Sequence, residues 1–247
     1  MQILISIDDT DNFESPGTGA LASQIAADLE INGWGKSSYV TRHQLLIHPG
    51  IPYTSHNSSM CFSADIEKKC LEQIISHTSA FLARESAAGS DPGLCVAVID
   101  DLPDTGELIR FGQSAKVSVL TKEAAYELAR RAGVHLSEHG GSGQGVIGAL
   151  AGAGLRLGGN DGRLKGQLTF AVPGGAVSVA ALRDRDDIDD VRALDGNCLD
   201  NRDIVRLGEK VKTVLLDGKA VLLVVPAKGA ADGARWQTCS RQLLKKH

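Results

Sequence analysis

At 247 residues with 43% hydrophobic content, the chain can bury one large core or two smaller ones, and two domains are expected. A formal charge of -4 and a pI near 6.0 exclude bulk electrostatic adhesion to nucleic acid and leave only local contacts with it. The five cysteines (61, 70, 95, 198 and 239) show no CxxC spacing, and the N-terminal apolar run breaks at Asp8, so we expect a cytoplasmic chain with no structural zinc and no membrane contact.

Residues 2 to 7 are rich in Ile and Leu without clean alternation, the mark of a strand buried on both faces. "GALASQIAADLEING" then repeats apolar residues at helical spacing. "SSYVTRHQLLIH" reads as a strand, "PGIPY" as a turn, "SSMCFSAD" as a strand, and "EKKCLEQIISHTSAFLARESA" as a long amphipathic helix. After the break "GSDPG", "LCVAVID" is a strongly apolar strand. "TKEAAYELARRAGV" is a helix with a threonine cap, and "HGGSGQGVIGALAGAGLRLGG" is a Gly-rich entry to another. "GQLTFAVPGG" and "AVSVAALRD" are read as strands, and "RDRDDIDD" as a solvated loop. "VKTVLLDGKAVLLVVP" is a hairpin, because Asp217-Gly218 suits a type I′ turn. The tail "SRQLLKKH" is expected to be exposed. A change of texture puts the domain boundary near residue 115, and the alternation of β and α elements indicates an α+β (mixed α/β) fold.

The first chemical signal is the cluster Asp8, Asp9 and Asp11 at the end of the first strand. Carboxylates are oxygen ligands of the kind Mg²⁺ takes, and a strand's carboxyl end is where open α/β sheets bind ligands. Gly17, Thr18 and Gly19 open the next helix and can offer backbone amides to a phosphate. The competing reading is an Asx-type turn and helix cap. "GWGKSS" is no Walker loop, since Glu30 takes the place of its first glycine and a helix precedes it. Gly143, Gly145 and Gly148 spell GxGxxG, but a helix rather than a strand precedes them, so a Rossmann site is not expected, although the loop can still hold phosphate. Asp9 and Asp11 have the spacing of a DxDxT phosphatase, but Phe13 stands in its threonine position. His43, His48 and His77 are read as structural, and Cys61 and Cys70 as core thiols. His56 and Asn57 lie on a polar turn from which they can reach a ligand.

Four stretches in order, "SIDDTDN", "PGTGALA", "LLIHPGIPYTSHNSS" and "GSGQGVIGALAGAG", resemble the N-terminal part of the tRNA(Ile) agmatidine synthetase family. The resemblance implies an ATP-binding kinase-like domain over 1–115, then a ferredoxin-like domain over 116–247 with a C-terminal hairpin extension. It further implies ATP and Mg²⁺ as cofactors, with phosphoryl transfer or ATP-driven amine ligation to a carbonyl on tRNA or a small molecule. Asp8, Asp9 and Asp11 would form the catalytic and metal site. Thr10, Gly17, Thr18, Gly19, His56, Asn57, Gly143, Gly145 and Gly148 would line the nucleotide. The chain departs from the family at Gln144, where a basic residue is usual, and without a CxxC pair it is expected not to carry the OB-fold and zinc ribbon that grip tRNA. Two alternatives are therefore kept, a nucleotide- or partner-binding module without catalysis, and a metal-dependent phosphohydrolase.

Overall fold

Alternate residues of the opening strand meet two different cores, which is why it reads as rich in Ile and Leu without clean alternation. Ile3, Ile5 and Ile7 pack on one side of a sheet and Leu4 on the other. The computed structural model describes the chain except residues 52, 54, 55, 172–174, 230–232 and 245–247. Parts of the expected "PGIPY" turn, the "GQLTFAVPGG" strand and the tail lie outside the described residues.

The chain divides into two compact units, Met1–Gly158 and Gly159–His247. The first runs β1 (Gln2–Asp8), α1 (Thr18–Ile31), β2 (Gly35–Ser37), β3 (Thr41–Gln44), β4 (Ser58–Ile66), α2 (Leu71–Glu85), β5 (Gly93–Val98), α3 (Thr105–Ser114), α4 (Lys122–Ala132), β6 (His135–Glu138) and α5 (Gly145–Gly158). β1 lies between β4 and β5 and is antiparallel to both. β6 continues the sheet beyond β5, while β2 and β3 pair with β4. Leu21, Ile25 and Leu29 of α1 and Ile74 and Leu82 of α2 cover the face of Ile3, Ile5 and Ile7. Leu108 of α3, Leu128 of α4 and Leu150 of α5 cover the face of Leu4.

The mixed α/β character is as expected, and four particulars differ. β1 has antiparallel neighbours, so the rule for open parallel sheets does not describe its carboxyl end. The expected strand over 37–48 is broken at residues 38–40, where Ser38 turns its hydroxyl to Ser63 at 2.8 Å and accepts from Arg156 at 3.0 Å. Helix α3 has no counterpart among the expected elements, although Asp104 caps it by accepting from the Gly106 amide and Glu107 follows in the first turn. Residue 115 falls just beyond α3 inside the first unit, because α4, β6 and α5 complete its sheet and second face.

The second unit contains β7 (Arg163–Leu164), β8 (Ala176–Ser178), α6 (Val179–Arg183), β9 (Asp190–Ala193), β10 (Ile204–Arg206), β11 (Val214–Leu216), β12 (Lys219–Pro226), β13 (Trp236–Thr238) and α7 (Arg241–Leu244). Its core gathers Leu182, Val191, Val205, Leu222 and Trp236. "AVSVAALRD" is a short strand followed by a helix, capped by the Ser178 hydroxyl accepting from the Ala181 amide. Of the expected strand over 166–175, the described part contributes one bridge, Leu168 to Val211. The hairpin is as expected. Asp217 and Gly218 have φ of 50° and 72°, the left-handed pair that a type I′ turn requires.

Candidate functional site

β1 ends at Asp8, whose strand partner is Gly93 of β5. The Asp8 side chain lies on the α5 face, against Gly148. A Cβ added there would stand 1.6 Å from Asp8 Oδ2, so only glycine lets the helix come this close to the carboxylate. Burial pushes the Asp8 carboxyl up to about 8, with the Asp9 charge adding to the shift. Asp9 stands in the left-handed region at φ 51°, a conformation Asp tolerates better than most residues. Its carboxyl is raised to about 6 by burial and then by Asp91 and Asp11. Several acids brought together at partial burial disfavour their own charge, and a cation would relieve this.

An Asx turn is present, and Asn12 builds it. Its Oδ1 accepts from the amides of Glu14 and Ser15, each at 3.0 Å. Asp11 accepts instead from the Thr18 hydroxyl at 3.1 Å, which fixes it beside the start of α1. The N-cap of α1 is Gly17, which has no side chain to cap the helix, and the Ala20 amide turns back to the Gly17 carbonyl. The amides of Thr18 and Gly19 therefore stand at the positive end of the helix without an N-cap side chain.

These residues open onto a cavity of about 470 Å³, within the range of about 300–1,000 Å³ usual for small-molecule sites. Asp8, Asp9, Asp11, Gly17, Thr18 and Gly19 line one part of it. Leu45, Ile51, Met60, Val119, Leu120 and Ile147 supply apolar wall. Arg42 contributes a cation, its Nε donating to the Ser58 hydroxyl at 2.9 Å. Sequence reasoning passed over Arg42. Its only signal was a polar residue in a short strand, and the cross-strand register with Met60 is what brings it here.

Among the other sequence-predicted residues, His56, Asn57, Gly145 and Gly148 also line the cavity, whereas Thr10 and Gly143 do not. Asn57 Nδ2 donates to the Leu46 carbonyl at 2.6 Å, so this side chain also shapes the wall. Thr10 is buried, and its carbonyl accepts from Ala87. The Gly-rich loop is fastened from two sides. The Asp91 carboxylate accepts from the amide and hydroxyl of Ser142, and Lys122 donates to both Glu138 and the Ser142 carbonyl. Gly141 and Gly143 have positive φ, with carboxylates of Asp91 and Glu138 where a Cβ would go. The Gly145 amide is spent on the Asp91 carbonyl at 3.0 Å. These glycines thus seat α5 on the sheet, and the helix start without an N-cap side chain is that of α1.

Among the described residues no three His, Cys, Asp or Glu side chains converge to hold a metal ion, and no helix is long and apolar enough to cross a membrane. His43 is buried and bonded to Thr41, His77 pairs with Asp28, and His48 accepts from Gly50. Cys61 and Cys70 are buried.

No protein-family model and no curated protein matches the chain. Solved structures share its fold. A tRNA fluorescent labeling enzyme superposes with a TM-score of 0.55 at 23% identity, over 62% of this chain and 36% of its own. TiaS in complex with an isoleucine tRNA and ATP gives the same figures. Apo TiaS, an agmatidine synthetase acting on that tRNA, gives 0.53 at 22% over 62% and 35%. At such identity the likeness is one of fold, and the matched region is little more than a third of those proteins.

Proposed function

We propose that the cavity of the first unit binds ATP with Mg²⁺, and that the chain uses it for phosphoryl transfer or ATP-driven amine ligation to a carbonyl on tRNA or a small molecule. The observation that carries this reading is the meeting, on one cavity, of carboxyls held up to about 8 and about 6, the start of α1 and Arg42, beside an apolar wall. Phosphoryl transfer depends on neutralising phosphate oxygens and orienting the nucleophile, and these are the groups for that task. In nucleotide sites Mg²⁺ takes one or two carboxylates and completes its shell with phosphate oxygens and water, so a preassembled trio of acids is not required. Asp8 and Asp9 would hold the ion, which would neutralise charge on the transferred phosphoryl group. Asp11 would keep Thr18 and the α1 amides in place, Arg42 would meet a phosphate or the acceptor, and the apolar wall would take the base. The fold shared with TiaS, solved in complexes with its isoleucine tRNA, ATP, AMPCPP and agmatine, supports the choice of nucleotide and acceptor class.

The test is thermal unfolding with and without ATP and MgCl₂, beside Asp8→Asn, followed by assay of ATP consumption. At 100 times the dissociation constant, ligand adds about 2.7 kcal/mol to native stability. We expect a Mg²⁺-dependent shift that the variant lacks. An equal shift in the variant would remove Asp8 from the site. A shift without turnover in the presence of tRNA and amine would favour the binding module.

A further inference from the structure

β6 is the outer strand of the first unit's sheet, its residues 135 and 137 fall on one face, and His139 follows directly after its last residue. His135 Nε2 lies 2.9 Å from the Ser137 hydroxyl oxygen, and His139 Nε2 lies 2.8 Å from the same atom. The hydroxyl has one proton, so it can donate to at most one ring, and at least one ring donates to it. Two imidazole nitrogens therefore converge on a single point. This cluster is separate from the nucleotide cavity, since none of its three residues lines it.

We infer that His135, His139 and the Ser137 hydroxyl form a binding site for one borderline divalent transition-metal ion of the Zn²⁺ or Cu²⁺ type. Imidazole nitrogen is the donor these ions prefer, and an ion beside the shared hydroxyl oxygen would take bonds of about 2.0–2.1 Å from both rings once they turn from the hydroxyl to it. The hydroxyl and water would complete the shell. The backbone is held for this purpose. His135 and Ser137 are in register with Val96 and Leu94 of β5, and the His139 amide donates to the Pro92 carbonyl at 2.9 Å. All three side chains are partly exposed, so an ion can reach them from solvent. Burial holds both imidazoles below their usual value and thus toward the neutral, ligating form. Glu72 of α2 opposes this at His135, and His135 adds to it at His139.

The test uses the full chain stripped of metal by chelation. Titration calorimetry with ZnCl₂ should show one site, and His135→Gln and His139→Gln should each lose roughly tenfold or more in affinity. Glutamine can still hydrogen-bond to Ser137, so melting temperatures without metal should match wild type. Electron paramagnetic resonance of the Cu²⁺-loaded wild type should show two equatorial imidazole nitrogens, falling to one in each variant. Asp8→Asn should leave this binding unchanged, which keeps the site distinct from the acidic turn. Wild-type affinity in both variants, or a Cu²⁺ spectrum without imidazole nitrogen in the wild type, would overturn the assignment.

Discussion

Asp8 and Asp9 keep their protons in the native state to a higher pH than in the unfolded chain. Their carboxyls sit near about 8 and about 6 in the fold, against an ordinary value of 3.8. The stability tied to these protons is fully present below pH 3.8, where both states are protonated, and is lost as pH rises through the native values. The melting temperature of the ligand-free protein should therefore carry a falling component between pH 4 and pH 8, roughly the window between the two states' values. Asp8→Asn should reduce it to the part that Asp9 contributes, and a pH series of melting curves on both proteins measures the difference. On the proposed reading, the same shift would make Mg²⁺ and ATP binding a proton-releasing event, because a cation at these oxygens favours the charged form. Calorimetry in two buffers of different ionisation enthalpy at neutral pH should register that release in wild type and a smaller one in Asp8→Asn.

Helix α5 shows how one element can serve packing and site at once. Gly148 and Gly152 lie one turn apart, and Arg156 a further turn on. Beneath them are Asp8, then the hydroxyls of Ser6 and Ser59, then Thr41 and Ser38. Ser6 and Ser59 are fully buried, and a Cβ on Gly152 would approach their hydroxyls to 2.5 and 2.4 Å. Gly152→Ala should destabilise the protein by about 1–3 kcal/mol in urea unfolding, the range for overpacking a close contact. The loop before α5 responds to a gentler change. Lys122→Met removes the donor to Glu138 and Ser142, at a cost in stability of about 1 kcal/mol or less, as for an exposed pair. ATP affinity should fall more than stability, and Lys122→Arg should restore part of it, as binding titrations beside melting curves will show.

At the scale of the whole molecule, the three hydrophobic clusters around β1 and α5 lie entirely within residues 1–158. Expressed alone, that segment should melt in one cooperative transition and keep the ATP-dependent shift of the full chain, and loss of either would show that the second unit is needed. Most elements of the first unit are legible from periodicity, and the threonine cap at Thr121 and the Asp217-Gly218 turn are legible from local chemistry. The division after Gly158 is not, because a Gly-rich helix entry looks like a new beginning until α5 is seen packed on β1, β4 and β5. The acidic turn and the α1 glycines could be picked out because a strand end followed by a helix start is a local event. Arg42 could not be, since nothing nearby in the chain distinguishes it from a solvent-facing strand residue.

Sequence by itself determined the apolar run of β1, the cluster of carboxylates at its end, the glycine start of α1 and the turn of the second-unit hairpin. Each depends on interactions between residues a few positions apart, and those are written in order along the chain. Tertiary structure alone decided that Asp8 would be buried under Gly148, that the amide of Gly145 would go to Asp91 rather than to a ligand, and that Arg42 and Leu120 would share a cavity with Asp9. Those pairings join residues far apart in sequence, and they arise from strand register and helix packing, which depend on burying both faces of one sheet at the same time.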